Sequence, residues 1–130
     1  MGPNNRCYAA FNSSASQLPI LWTDAEAYCG RHQGHLASIH NTFVNNFLWK
    51  WSKDPNVGSI WIGLYCGITA TNSHFNWSDS TAYDYKNWVE PEPMDCTQSQ
   101  NLCAYMQVED GRWTTTQSCI YGVFPFICEF

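Results

Sequence analysis

The chain has 130 residues, of which 45% are hydrophobic and 13% are charged, and its net charge is -5. This length supports one domain with a buried core but not two, and the low charge content excludes an intrinsically disordered chain. Because an acidic surface with few, scattered basic residues repels phosphate groups, we expect no nucleic-acid partner.

The N-terminus is the first segment with a character of its own. It contains Gly2 and Pro3 and lacks the charged and apolar parts of a signal peptide. We expect residues 1–6 to form a flexible terminus and residues 7–130 to form a single domain. No apolar run is long enough to cross a bilayer, so membrane attachment would require a segment outside this sequence.

The first predicted helix covers residues 23–32. Thr23 and Glu26 have the spacing of a capping box, in which both side chains bond free N–H groups of the first turn. The helix is predicted to end near Gly34. The pattern predicts a short helix with a local signal at each end.

A second helix is predicted over residues 41–53, and Asp54-Pro55 ends it. Three aromatic residues at fourfold spacing share one of its faces: Phe43, Phe47 and Trp51. Both predicted helices therefore lie in the first half of the chain.

Short strand-like runs replace the helical pattern after residue 58. They cover residues 59–64, 75–77, 102–108 and 123–129, separated by Gly, Asn, Ser and Asp. This order, in which the helices precede most of the strands, predicts an α+β fold. Residues 65–101 contain little regular pattern apart from the short run at 75–77, and a segment of this length inside a domain is commonly a binding loop.

Seven cysteines are spread over the whole chain without a C-x-x-C pair. This spacing argues for disulfides formed in an oxidising, extracellular compartment and against a zinc cluster. The odd count leaves one cysteine over. The cysteines are Cys7, Cys29, Cys66, Cys96, Cys103, Cys119 and Cys128.

A series of short motifs in a fixed order resembles the C-type-lectin-like domain and covers the chain from Cys7 to Phe130. The motifs are Ala27-Tyr28-Cys29, Gly34-His35-Leu36-Ala37-Ser38-Ile39, Trp61-Ile62-Gly63-Leu64, Phe75-Asn76-Trp77-Ser78-Asp79, Asn87-Trp88, Gly111-Arg112-Trp113 and Ile127-Cys128-Glu129. The resemblance implies an extracellular binding module with two helices packed on small antiparallel sheets, a long irregular loop region and stabilising disulfides. For Gly63, the residue type itself indicates a bulge or a close backbone approach.

The resemblance also implies disulfides Cys29–Cys128 and Cys103–Cys119. We favour Cys66–Cys96 as a third bridge, because it would restrain a loop that no sheet holds. Three alternatives stay open for Cys7: it is free, bonded to Cys96, or bonded to a cysteine elsewhere. The last case includes an upstream partner and a disulfide-linked dimer.

The resemblance also implies where a calcium site would lie. Calcium-dependent members of the family bind calcium and sugar through a Glu-Pro-Asn or Gln-Pro-Asp motif, a further Glu, and an Asn-Asp pair after a tryptophan. The first motif falls on Glu92-Pro93-Met94, and a thioether at Met94 is a poor calcium ligand. Thr114-Thr115 occupy the Asn-Asp positions, and Asn101 replaces the further Glu. We therefore expect no cofactor and no tight calcium binding.

A shifted motif, Glu90-Pro91-Glu92, keeps more carboxylates than the first alignment. If calcium binds, its ligands would be Glu90, Glu92, Asp95 and Asn101. This set defines the alternative function, a calcium-dependent carbohydrate-binding lectin. The missing Asn-Asp pair weakens both alignments, because calcium requires several oxygen ligands.

The leading hypothesis is recognition of a protein or glycan ligand without calcium, through the long-loop surface. Tyr and Arg are frequent anchors of such surfaces. We interpret Trp88, in contrast, mainly as a core residue. The predicted ligand-binding residues are Tyr83, Tyr85, Glu90, Glu92, Asp95, Asn101, Arg112, Thr114 and Thr115.

Other candidate sites carry weaker signals. His32, His35 and His40 span a helix end and a turn, so they lack the shared face of a metal site. No catalytic signature is visible, and we expect no enzyme activity. Asn12 and Asn76 begin glycosylation sequons, which agrees with secretion.

Overall fold

The computed structural model describes residues 5–11, 21–55, 57–66, 75–90, 102–117, 119 and 124–130. In these ranges the helices are α1 (Trp22–Arg31) and α2 (Thr42–Ser52). The strands are β1 (Tyr8–Phe11), β2 (His35–Leu36), β3 (Ile60–Cys66), β4 (Asn76–Trp77), β5 (Leu102–Met106), β6 (Trp113–Gln117) and β7 (Phe126–Glu129). The predicted α+β class is confirmed. Among the described residues, no helix is long and apolar enough to cross a membrane.

The start of α1 differs from the prediction. Leu21 is the N-cap and no side chain caps the helix, so the predicted capping box of Thr23 and Glu26 is wrong. The Glu26 carboxylate instead accepts hydrogen bonds from the Leu36 N–H and the Ser78 hydroxyl, at 2.9 and 2.8 Å. A buried N–H that water cannot reach needs such a partner. Glu26 therefore ties α1 to β2 and to the turn after β4.

The chain leaves α1 through Gly34, whose N–H donates to the Cys29 carbonyl at 2.9 Å. A Cβ at Gly34 would lie 2.6 Å from the Phe130 ring and 2.7 Å from the Glu129 carbonyl oxygen. Glycine is required at this position because the end of β7 passes too close for any side chain.

Helix α2 has the predicted extent, and its N-cap is Asn41, whose side chain accepts the Val44 N–H at 2.9 Å. The three aromatic residues predicted to share a face differ in burial, because only Phe47 and Trp51 pack against the core cluster. Phe43 is 76% exposed, whereas Phe47 and Trp51 are half-buried. The face that packs on the sheet carries instead Val44, Asn45, Leu48 and Ser52.

The described strands join into one sheet with the order β1-β7-β3-β5-β6, while β2 pairs with β7 and β4 with β3. All these pairings are antiparallel except β3 with β7, which meet in parallel at Trp61 and Phe126. The small sheets expected from the sequence are continuous because β7 pairs with β1, β2 and β3.

Gly63 lies at the irregular part of β3, where the register with β5 shifts between Trp61 and Tyr65. A Cβ on Gly63 would lie 2.8 Å from the Leu36 carbonyl oxygen and 2.9 Å from the Ser78 hydroxyl. The predicted close backbone approach is confirmed, because this glycine lets β3 pass directly against its neighbours.

Alternate side chains of β3 enter two hydrophobic clusters. Ile62 and Leu64 pack in the cluster that contains α2 residues, and Trp61 packs in the cluster that contains α1 residues. The Trp22 indole on α1 donates a hydrogen bond to the Ile62 carbonyl at 2.7 Å. Both helices are thus fixed to the strand that leads into the long loop.

Two of the predicted disulfides are confirmed: Cys29–Cys128 and Cys103–Cys119. The first joins residues 99 positions apart and links α1 to β7. The second joins residues 16 positions apart and links the start of β5 to the segment after β6. Loops of these sizes correspond to about 4.7 and about 3 kcal/mol of stabilisation when chain entropy alone is considered.

The remaining cysteines are only partly described. Cys66 is disulfide-bonded. Its predicted partner, Cys96, lies outside the described residues, so this pairing stays a prediction. Cys7 is a free and exposed thiol.

Candidate functional site

Residues 75–90 are the described middle part of the long loop, and the sheet holds them at two places. β4 pairs with β3. Further along, the Trp113 N–H donates to the Asn87 carbonyl and the Val89 N–H donates to the Trp113 carbonyl, both at 2.9 Å. These bonds form a parallel bridge between Trp88 and Trp113. The segment therefore runs beside the start of β6 in a fixed position.

Trp88 anchors this segment through its ring. Its centroid lies 5.0 Å from that of Phe75 and 5.6 Å from that of Trp113. Its indole N–H donates to the Tyr83 hydroxyl at 2.7 Å. The interpretation of Trp88 as mainly a core residue is confirmed, because it is half-buried and packs against the main cluster.

Tyr83 is half-buried beside Trp88, and the Lys86 ammonium lies 5.0 Å from the centre of its ring. Burial raises the pKa of the Tyr83 phenol by more than the hydrogen bond from Trp88 lowers it. The hydroxyl therefore stays protonated and remains available to donate a hydrogen bond while it accepts one from the indole.

Tyr85 packs on another part of the molecule. Its ring lies 5.8 Å from the Trp113 ring, and its hydroxyl lies 3.4 Å from the Thr42 hydroxyl at the first turn of α2. Tyr83 and Tyr85 thus flank Asp84 and contact different neighbours. The two predicted anchors are therefore held by contacts at two different places.

The other described ligand-binding candidates lie on or beside β6. Arg112 is exposed immediately before the strand, and its backbone N–H donates a hydrogen bond to the Asp110 carboxylate at 3.0 Å. Thr114 and Thr115 are half-buried on the strand. Glu90 is exposed two residues after the Trp88 bridge. Trp113 therefore brings the 83–90 segment and the 112–115 segment into one neighbourhood.

Three predicted candidates, Glu92, Asp95 and Asn101, lie outside the described residues. The described part of the predicted calcium site supplies one carboxylate, on Glu90, and the hydroxyls of Thr114 and Thr115. Calcium takes about 6–8 oxygen ligands, and the described residues supply only part of the predicted donor set. Within the described ranges, no three His, Cys, Asp or Glu side chains are grouped as a metal site would require.

A polar network that the sequence did not predict lies at the base of the same segment. The Ser38 hydroxyl donates to Asp79 at 2.6 Å, and the His40 Nε2 atom lies 3.2 Å from that hydroxyl. The His40 Nδ1 atom lies 2.8 Å from an Asp84 carboxylate oxygen. Ser38 belongs to one of the motifs that carry the family resemblance, and no spacing rule connects it with Asp84.

The pKa values of three carboxyl groups follow from these contacts. Burial raises the pKa of Asp79, but hydrogen bonds from Ser38 and Thr81, together with the charge of His40, outweigh burial and lower it below its usual value. The hydrogen bond from His40 lowers the pKa of Asp84. Burial raises the pKa of Glu129, against the opposing effects of the Ser38 N–H and the Arg6 charge.

Ser38, His40 and Asp84 have the hydrogen-bond order of a hydrolytic triad, but the arrangement does not expose a nucleophile. Ser38 is only 2% exposed. Its hydroxyl proton is directed to Asp79, whereas a nucleophilic serine must give its proton to the histidine. The contacts fit a structural network.

The other residues singled out in the sequence are histidines and the starts of two glycosylation sequons. His35 pairs with Glu26 at 2.9 Å, and His32 lies against the Tyr28 ring. Asn76, the start of one sequon, is half-buried in β4. The other sequon, at Asn12, lies outside the described residues.

The sequence profile of the Lectin C-type domain family matches residues 19–130. The chain belongs to the C-type lectin family. A protein named "Lectin" from Pleurodeles waltl is 32% identical over 126 residues, which cover 92% of this chain and 71% of that protein. One subunit of the snaclec agkisacutacin from Deinagkistrodon acutus is 32% identical over 129 residues, covering 95% of this chain and 76% of that protein.

The crystal structure of a calcium-independent type II antifreeze protein superimposes with a TM-score of 0.72 at 28% identity. The match covers 96% of this chain and 85% of that chain. A protein with a similar structure is therefore described as calcium-independent. Membership identifies the chain as a C-type lectin-like binding module.

Proposed function

We propose that the chain is an extracellular module that binds a protein or glycan ligand through the long-loop surface without calcium. The described part of this surface consists of Tyr83, Tyr85, Glu90, Arg112 and Thr114–Thr115. One observation supports this proposal most directly. The chain itself holds residues 83–90 in place, through the Trp88–Trp113 bridge and the Trp88–Tyr83 hydrogen bond. A surface that is already positioned needs no ion to order it.

The composition of the surface supports this function. It combines aromatic rings that are fixed by packing with exposed charges of both signs, and rigid aromatic residues supply contact area at a low entropic cost. The likeness to a protein named lectin supports a glycan ligand, and the likeness to a calcium-independent structure supports binding without the ion. The disulfides support an oxidising, extracellular location.

A glycan array with the folded chain, run once with calcium and once with chelator, tests the proposal. We expect the same glycans to bind in both conditions. Arg112→Ala should weaken binding. Arg31→Ala is the control, because it removes an exposed arginine that lies on α1 and away from this surface, and it should leave binding unchanged. Binding that chelator abolishes would contradict the proposal and support the alternative calcium-dependent lectin with the Glu90-Pro91-Glu92 motif.

The free, exposed thiol of Cys7 favours a second, compatible role in covalent assembly. The name of the snaclec relative describes that protein as a subunit. Electrophoresis of the secreted protein under non-reducing conditions tests this role. We expect a dimer band that Cys7→Ser removes, and a monomer in both samples would contradict it.

A further inference from the structure

Helix α2 holds the turn between β5 and β6. Within this turn, the Gln107 N–H donates to the Arg112 carbonyl and the Gly111 N–H donates to the Gln107 carbonyl, at 2.8 and 2.9 Å. The Trp49 indole of α2 donates to the Val108 carbonyl at 2.9 Å. A Cβ at Gly111 would lie 2.8 Å from the Trp49 ring, so the turn packs directly on the helix.

Asn45 on α2 adds two hydrogen bonds, one on each side of Arg112. Its side-chain N–H donates to the Gly111 carbonyl at 3.1 Å, and its side-chain oxygen accepts the Trp113 indole N–H at 2.9 Å. A carbonyl only accepts and an indole N–H only donates, so the two partners together fix the orientation of the amide. One buried side chain therefore holds both the residue before Arg112 and the residue after it.

The Gly111 carbonyl is shared between the helix and the loop. Besides the Asn45 N–H, it accepts the side-chain N–H of Asn87 at 3.0 Å. A carbonyl oxygen has two lone pairs, and these two amides use both. The same peptide group carries the Arg112 N–H, which donates to the Asp110 carboxylate. The peptide group that leads into Arg112 is thus held from α2, from the loop and from within the turn.

Arg112 is exposed between two buried neighbours, Gly111 and Trp113. Because Asn45 bonds both neighbours on the inner side of the turn, the Arg112 side chain is left on the outer side. Asn45 itself is only 3% exposed. The direction of an exposed arginine on the ligand-binding surface is therefore determined by a residue that does not reach that surface.

Loss of the Asn45 amide would release this part of the turn from the helix. The Trp113 indole N–H would lose its acceptor in a buried place, which costs free energy, so the ring would move toward a new partner. Asn87 would still bond the Gly111 carbonyl, but from the loop side alone. Both neighbours of Arg112 would then lose the contact that α2 provides.

We propose that Asn45 is a positioning residue that sets the direction of Arg112 for ligand binding. It acts through Gly111 and Trp113 and does not contact the ligand. The inference rests on the proposed binding function, and it extends the site to the buried face of α2. A substitution at Asn45 should weaken binding although every residue of the exposed surface stays the same.

NMR of the folded chain without a ligand tests these contacts. Asn45→Leu keeps a side chain of similar size and removes both hydrogen bonds, so the signals of the Trp113 indole N–H and the Arg112 backbone N–H should move. Ser52→Ala is the matched control, because Ser52 lies on the same buried face and its hydroxyl bonds the Trp49 carbonyl within α2. Unchanged signals in folded Asn45→Leu, or equal changes in Ser52→Ala, would overturn the proposal.

Hydrogen exchange in the wild-type chain tests the proposal even if Asn45→Leu does not fold. A buried, hydrogen-bonded N–H exchanges with solvent only when the structure around it opens. Asn46 is exposed and serves as the internal control. We expect the side-chain N–H protons of Asn45 to exchange with deuterium far more slowly than those of Asn46. Equal rates would show that the Asn45 amide is not held and would overturn the proposal.

A glycan array in chelator tests whether Asn45 acts through Arg112. We expect Asn45→Leu to weaken binding about threefold to tenfold, which corresponds to roughly one hydrogen bond, and Ser52→Ala to bind as the wild type does. In a chain that already carries Arg112→Ala, adding Asn45→Leu should cause almost no further loss. A general loss of stability would instead weaken both backgrounds by the same factor, and that result would overturn the proposal.

The same measurements separate this inference from the proposed function. Absence of glycan binding by the wild-type chain would contradict the proposed function, while NMR and hydrogen exchange would still decide whether Asn45 holds the neighbours of Arg112. Binding of wild-type strength by folded Asn45→Leu would contradict the positioning role alone.

Discussion

The two ends of the molecule are held by different forces. At the base, the Cys29–Cys128 disulfide joins the last turn of α1 covalently to β7. On the loop side, residues 75–90 are held by ring packing around Trp88 and Trp113 and by hydrogen bonds to them. The base therefore has a covalent link, whereas the position of residues 75–90 depends on side-chain packing and hydrogen bonds. A binding surface built this way can be altered without unfolding the domain.

Removal of the Cys29–Cys128 bridge should have the largest effect. We expect Cys29→Ala combined with Cys128→Ala to lower the free energy of unfolding by about 2–5 kcal/mol, measured by urea denaturation. Cys7→Ser is the matched control, because its thiol is free and exposed, and it should leave stability unchanged. If the disulfide variant stays folded but loses the loop contacts of Trp88, the proposed independence of the two ends is wrong.

Asp79→Asn should have the next largest effect and should depend on pH. The folded-state pKa of Asp79 is lowered, so its ionised form stabilises the fold above the ordinary carboxyl pKa, and that stability is lost as the pH falls through the lowered value. Because the side chain is only half-buried, solvent screening limits the expected loss to about 1–2 kcal/mol at neutral pH, shrinking toward zero in strong acid. Denaturation curves at several pH values measure it, and a loss that is independent of pH would contradict the role of the charge.

Tyr83→Phe probes the loop side alone. The variant keeps the ring and removes the acceptor of the Trp88 indole bond, so we expect a loss of about 0.5–1.5 kcal/mol and a shift of the Trp88 indole N–H signal in NMR spectra. Tyr28→Phe is a suitable control, because it removes a hydroxyl from a half-buried tyrosine of α1 at the other end. An unchanged Trp88 indole signal in Tyr83→Phe, or an equal change in Tyr28→Phe, would contradict the role of this hydrogen bond on the loop side.

Phe43→Ser should have the smallest effect on stability. Because the side chain is 76% exposed, we expect a change within about 0.5 kcal/mol in urea denaturation. Leu48→Ala, on the buried face of the same helix, should cost about 2–5 kcal/mol. Similar costs for the two variants would mean that the outer face of α2 is covered in solution.

The sequence predicted those features that local spacing encodes. The extent of α2 was predicted from the aromatic spacing and from Asp54-Pro55 at its end. The two confirmed disulfides were predicted from the family resemblance and not from spacing. The aromatic face of α2 was visible, but spacing alone does not say which face is buried. Asn45 lies on the buried face because its amide donates to the Gly111 carbonyl and accepts from the Trp113 indole, which are distant in sequence.

The candidate site was predictable in its residue types but not in its connections. Tyr83, Tyr85 and Arg112 stand out in the sequence because such residues anchor interfaces. The capping-box prediction failed because Glu26 gains partners on β2 and after β4 that only the folded chain brings near. The contact between His40 and Asp84 joins residues 44 positions apart, and neither residue carries a local signal for the other.

Isothermal titration of calcium into the folded chain tests the central claim most directly, because the claim is a binding surface that the chain orders without an ion. We expect no heat of specific binding, and we expect Glu90→Ala to give the same trace as the wild-type chain. Micromolar calcium affinity that is lost in Glu90→Ala or Glu92→Ala would contradict the claim.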